Sequence, residues 1–201
     1  MKKTKSRLLI ILTLILLFSF TAQAGSYAHF PDVPDEAPFA DEVNTLAELG
    51  LLKGDEKGNF NPENTITRAE FATMMCRFFG VEDEALKIRK SSFNDVPSNH
   101  WACGYITKAV ELGILNGYGN GKFGPADTLT YEQAVTVLIR SIDYEDEAQK
   151  AGGYPNGYIK VAENKNLLEK VQSEFSKPII RSNVAILICN VLFYGGEISK
   201  E

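Results

Sequence analysis

The chain has 201 residues, 44% hydrophobic and 23% charged, with a formal net charge of −5 that falls to about −9 if the four cations near its start are removed. That acidic balance lacks the clustered Lys and Arg that neutralise phosphates and argues against general nucleic-acid binding, leaving any anionic partner to be met by individually placed arginines. Three cysteines (Cys76, Cys103, Cys189) and two histidines (His29, His100) show neither paired-ligand spacing nor a disulfide framework, so no metal site or cofactor is expected.

In chain order, Lys2, Lys3, Lys5 and Arg7 precede an apolar run from Leu8 to Phe20 closed by Ala22-Gln23-Ala24, the pattern of a secretory signal peptide over residues 1–24. The run has about 13 residues where a bilayer span needs roughly 20, so cleavage is expected, with no membrane span in the mature chain. A first unit, residues 28–80, follows. Its first helix carries Val43, Leu46 and Ala47, with Gly50 placed for a left-handed C-terminal cap. Gly54, Gly58 and Pro62 then break the chain into a tight loop, with Phe60 as the large apolar side chain that pins it. The second helix opens on a capping box, Thr67-x-x-Glu70, ahead of a stripe of Phe71, Met74, Met75, Phe78 and Phe79. Arg68, at the first helical position, lies off that stripe, and packing gives no account of it. Cys76 reads as a small buried hydrophobe of the same helix.

Shifting the sequence by 63 positions superposes Phe30-Pro-Asp-Val-Pro34 on Phe93-Asn-Asp-Val-Pro97, and the match runs for about 48 residues without a gap. Glu48-Leu49-Gly50 falls on Glu111-Leu112-Gly113, Gly58 on Gly121, Phe60 on Phe123, Pro62 on Pro125 and Thr67 on Thr130. The second unit is therefore 91–142, again helix, turn, Gly-rich loop, helix, with Thr130-x-x-Gln133 as its box. A worn third copy, 150–194, aligns Gly157-Tyr158-Ile159 with Gly104-Tyr105-Ile106 and places Arg181 at the Arg68 position. It lacks the Gly-x-Phe-x-Pro loop, and Ile180 replaces the Thr cap. Between copies, 81–92 and 143–153 are polar and read as solvent-exposed connections. Asp55, Glu56 and Asn59 lack the alternating spacing and closing Glu of a calcium loop.

Phe-x-Asp-Val, Trp101, Glu-Leu-Gly-Ile-Leu-x-Gly, Gly-x-Phe-x-Pro and Ile66-Thr-Arg-Ala-Glu70 resemble the S-layer homology family, over about residues 28–194. The resemblance implies a mostly α fold, three helix-loop-helix repeats in a pseudo-threefold arrangement around a central helical bundle, with the third degenerate. It also implies a secreted module on the surface of a Gram-positive-type bacterium, held non-covalently on an anionic secondary cell-wall polysaccharide, commonly pyruvylated, in grooves between copies. Carried over by motif, Arg68 is the guanidinium fork for a carboxylate, Tyr131 replaces it in copy two with a ring for a sugar face, and Arg181 keeps the charge in copy three.

The remaining candidates admit two readings each. Glu70, like Thr67, Thr130 and Gln133, is a capping residue or a ligand contact. Asp32 and Asp95 initiate the next helix or floor the groove, and Trp101 is a core or groove-rim aromatic. Three function classes follow: a glycan-binding wall anchor, a protein-interaction or surface-layer assembly component, and an enzyme. The last has no nucleophile with a nearby base and no metal cluster to support it.

Overall fold

The computed structural model of the chain describes residues 30–194, so the proposed leader at 1–24 lies outside the described residues. Among these there are eight helices: α1 (Ala40–Glu48), α2 (Arg68–Phe78), α3 (Glu82–Ala85), α4 (Cys103–Glu111), α5 (Tyr131–Ser141), α6 (Glu145–Lys150), α7 (Asn156–Asn164) and α8 (Arg181–Phe193). Strand pairing among them is confined to three isolated antiparallel bridges.

The first helices, α1, α4 and α7, bury one side each, through Val43 and Leu46, Ile106 and Ala109, and Val161 and Ala162. Each is stopped by a left-handed residue. Gly50 (φ 71°) and Gly113 (φ 70°) fill that place in the first two copies and Asn166 (φ 54°), the next most tolerant residue type, in the third. The second helices, α2, α5 and α8, are buried on nearly every side and form the centre of the molecule.

Each second helix packs on the first helix of the following copy, α2 on α4 and α5 on α7, and α8 closes the circle by packing on α1. At the pseudo-threefold axis the backbone itself forms a ring. Ile66 N–H donates to the Ile179 carbonyl (3.2 Å), Ile179 N–H to Leu129 (2.9 Å) and Leu129 N–H to Ile66 (2.9 Å), all three side chains being fully buried. The bridges Thr65–Ile180, Thr67–Thr128 and Thr130–Pro178 flank this ring.

The capping box at α2 is complete: Glu70 N–H donates to the Thr67 hydroxyl (3.2 Å) and Thr67 N–H to Glu70 Oε2 (2.7 Å). At α5 it is looser, with Thr130 N–H 3.3 Å from the Gln133 side-chain oxygen and the Thr130 hydroxyl making no hydrogen bond. At all three helices a neighbouring copy also supplies acceptors, whether or not a Thr cap is present: Arg68 N–H donates to the Asp127 carbonyl and Ala69 N–H to that of Pro125, Tyr131 N–H to Lys177, and Arg181 N–H to Asn64 and Ser182 N–H to Pro62. Orphan N–H groups of a helix start need partners, and here they find them across the repeat boundary.

One expectation is corrected. The polar stretches 81–92 and 143–153 are more than exposed connections, because α3 and α6 lie within them and press the buried Ala85 and Ala148 onto the following helix. The approach is close enough that a Cβ on Gly104 would stand 2.0 Å from the Ala85 carbonyl oxygen, and one on Gly157 2.1 Å from that of Ala148. Arg77–Glu82, Lys108–Glu84, Arg140–Glu145 and Lys165–Glu147 ion pairs hold these short helices in place. All three cysteines are buried and unpaired, and burial pushes the Cys76 thiol up to about 12 and that of Cys189 to about 11, which keeps both inert.

Candidate functional site

The Gly-x-Phe-x-Pro loop is built the same way in the first two copies. Phe60 packs on Phe30 (ring centroids 5.4 Å apart) and Phe123 on Phe93 (5.5 Å). Asp32 accepts from the N–H groups of Phe60 (2.7 Å) and Asn61 (2.6 Å), and Asp95 from those of Phe123 (2.9 Å) and Gly124 (2.8 Å). Both aspartates therefore clamp a loop, and neither lines the groove described below. Partial desolvation works against the charged form of Asp95, but the backbone hydrogen bonds outweigh it and hold the carboxyl below its ordinary value.

Each loop is also gripped from another copy. Arg68 donates through Nε to the Phe123 carbonyl (3.0 Å) and through a terminal nitrogen to that of Asn116 (2.7 Å), with its guanidinium over the Phe123 and Tyr118 rings. Arg181 does the same for the first loop, donating to Phe60 (2.8 Å) and Lys53 (3.4 Å) over the Phe60 ring. Burial lowers the pKa of both groups, and nearby Asp95 and Asp127, or Asp32, Asp55 and Glu70, oppose the shift. The view of Arg68 as unexplained by packing is thus corrected: only 5% exposed, it is a buried clamp between copies. Tyr131, at the equivalent place in copy two, is 9% exposed and does not line the groove described next. The third loop, which has no such arginine, is held by Glu132, accepting from Ser176 N–H, and by Asn183, bonded to the Gln172 backbone.

A groove of about 380 Å³ opens against the first loop. Copy one supplies Lys53, Asp55, Asn61, Glu70 and Arg77, copy three Arg181, and copy two Trp101. Trp101 is 61% exposed, stacked on His100 and available to a ligand, which rules out the core reading. Glu70 spends Oε2 on its cap and turns Oε1 toward Arg181, 3.8 Å away. Of the residues singled out from sequence, the groove thus brings together Glu70, Trp101 and Arg181, while Arg68, Asp32, Asp95 and Tyr131 do not line it.

Lys53 and Arg77 were missed. The signal was present, since Arg77 falls on Arg140 at the same 63-residue shift, followed in both copies by an identical Glu-Asp-Glu-Ala. In the next copy Arg140 and Tyr154, which stands at the Trp101 position and is 55% exposed, repeat the pattern. In copy three Asn190 replaces the arginine and donates to the carbonyls of Leu167 and Glu169. No cluster of three or more His, Cys, Asp or Glu side chains placed to hold a metal ion occurs among the described residues.

The sequence profile of the S-layer homology domain matches residues 29–72 and 92–135. The chain belongs to the S-layer homology family. It is 34% identical over 96% of its length to a cell surface protein of Thermoanaerobacter kivui, and 32% identical over 76% to the middle cell wall protein of Brevibacillus brevis. A surface layer protein of Brevibacillus choshinensis is 33% identical over 69% of the chain. The S-layer homology chain spans 25%, 14% and 12% of these three relatives, respectively. Family membership places it at the cell surface, and no described helix is long and apolar enough to cross a membrane.

Proposed function

We propose that the chain is a non-enzymatic anchoring module whose groove takes an anionic secondary cell-wall polysaccharide. Trp101 carries this reading: a tryptophan left 61% exposed over a groove lined by Lys53, Arg77 and Arg181 has the chemistry of a sugar platform beside a carboxylate receptor. A pyruvyl ketal fits because it adds one planar carboxylate to a sugar ring, matching a guanidinium fork and an aromatic face together. The arrangement around Arg140 and Tyr154 is assigned the same role one copy on. The third equivalent place, where Asn190 of copy three and Tyr131 of copy two stand at the two arginine positions, is assigned none.

The test is sedimentation of the full chain with purified sacculi before and after extraction of the secondary polymer. Binding should disappear with the polymer, and Trp101→Ala should weaken it about tenfold while leaving the thermal midpoint unchanged. Binding that survives extraction would favour a protein partner in surface-layer assembly instead.

A further inference from the structure

Arg77 is the groove arginine held by a carboxylate, where the two clamping arginines are held by backbone carbonyls. Its Nε lies 2.9 Å from Glu82 Oε1, and the same oxygen accepts from the Tyr105 hydroxyl at 2.8 Å. Lys53 Nζ stands 3.7 Å from that oxygen. Arg77 donates to Glu82 through Nε, and the groove lies against this side chain. One copy on, the carboxylate brace is reproduced, with Arg140 Nε 2.9 Å from Glu145 Oε1 and that oxygen accepting from the Tyr158 hydroxyl at 2.9 Å, but here one terminal nitrogen of Arg140 also donates to the Tyr158 hydroxyl at 3.3 Å. Between copy three and copy one it is broken at the arginine and the tyrosine positions. Asn190 replaces the arginine, and Glu42, standing where Tyr105 and Tyr158 do, pairs with Lys170 instead.

We propose that Glu82 is a positioning residue for ligand binding: it fixes Arg77 by its Nε edge so that the two terminal nitrogens face the groove as a preformed receptor for a single carboxylate. Glu145 braces Arg140 by the same edge, leaving one terminal nitrogen for a ligand because the other donates to the Tyr158 hydroxyl. A free arginine side chain loses several rotamers on meeting a ligand, and one already held by a second side chain has lost them beforehand. Tyr105 orients the carboxylate in turn, which explains why one oxygen serves both donors. Partial burial disfavours the charged form of Glu82, yet the hydrogen bond from Tyr105 together with Arg77 and Lys53 outweighs this and keeps the carboxyl below its ordinary value. The brace is therefore ionised at neutral pH.

The inference rests on the proposed glycan function, and one set of sacculus-binding isotherms separates the two. Glu82→Ala is expected to weaken binding about tenfold, whereas Glu82→Gln, which keeps an oxygen for both donors, should stay within about threefold of wild type. Arg77→Met should also weaken binding about tenfold, and adding Glu82→Ala to it should cost nothing further, because Glu82 acts through Arg77. A merely structural Glu82 would lower the thermal midpoint and weaken binding equally in both backgrounds, which would overturn the proposal. If Glu82→Ala does not fold, Tyr105→Phe takes its place, with a loss of about threefold expected in the wild-type background and none beside Arg77→Met. A wild-type chain that leaves sacculi unbound overturns the glycan reading and this inference together. Wild-type binding that survives Glu82→Ala unchanged overturns this inference alone.

Discussion

At the scale of single residues, Arg68 and Arg181 place a full charge where an apolar side chain would be expected, and they do so because loop carbonyls and ring faces replace water around the guanidinium. Neutral acceptors and π faces leave the ion without a counter-charge in direct contact at Arg68, so the cost of removing it falls on the carbonyls it serves. Arg68→Ala is therefore expected to lower stability by about 2–4 kcal/mol, measured by chemical denaturation, with Arg68→Lys recovering little because a point charge cannot reach both carbonyls. Reading Arg68 as a surface residue would give a change within about 0.5 kcal/mol, and that outcome would refute the clamp. Asp55 provides the pH test. Its side chain accepts from Asn61, from the backbone of Asn59 and Lys57 and from the Asn59 side chain, which lowers its carboxyl to about 2. A depressed folded pKa gives stabilisation that is complete above the ordinary carboxylate range and lost as pH falls toward that lowered value, so a side-chain NMR titration of Asp55 should have its midpoint near 2. A midpoint near an ordinary aspartate's would mean the loop does not hold this geometry in solution.

At the scale of elements, the short helices α3 and α6 show where periodicity stops being informative. Four and six residues are too few for an apolar stripe, and charge dominates both, so nothing in their composition separates a strut from a loop. What was legible was the second helix of each copy, because Thr67-x-x-Glu70 marks its start and the apolar stripe its length. The Gly-x-Phe-x-Pro loop was legible for the same reason, being specified by residues with unusual backbone or bulk. The glycine before Tyr105 and Tyr158 could be aligned but not explained, since its cause is a close approach by an element not recognised. It now gives a prediction. Gly104→Ala would drive a Cβ to 2.0 Å from a backbone oxygen that no side-chain rotation can relieve, so a loss of about 1–3 kcal/mol is expected. Copy one carries Asp41 at this position, exposed, where no preceding short helix is present among the described residues, and Asp41→Ala should leave the thermal midpoint almost unmoved.

At the scale of the whole molecule, the site was only partly readable because its parts come from three copies while sequence comparison works within one. Arg181 reaches the first loop from 121 residues away, as measured to Phe60, and Trp101 enters from the start of copy two. A motif therefore named the residue type correctly while leaving open which loop it served, and Arg68 turned out to serve the loop of the next copy. The same circular exchange decides how the protein folds. No copy packs its own second helix on its own first; α2 goes to α4, α5 to α7 and α8 back to α1, and the backbone ring through Ile66, Leu129 and Ile179 needs all three. Stacked repeat arrays lose a terminal unit gradually, because each repeat contacts only its neighbours. A closed ring has no terminal unit to lose. A fragment of residues 28–80 should accordingly be unfolded or oligomeric, and so should residues 28–142, which keep two complete copies but leave α1 without α8 and the first loop without Arg181. Removing α8 exposes Val43 and Leu46, both fully buried in the closed ring, and leaves Ile66 N–H without its acceptor. Far-UV circular dichroism and urea denaturation of the two-copy fragment are the measurement. A cooperative transition with the helical signal of two intact copies would show that the array folds as a stack and that closure by α8 is dispensable. A broad, non-cooperative change is the outcome the ring requires.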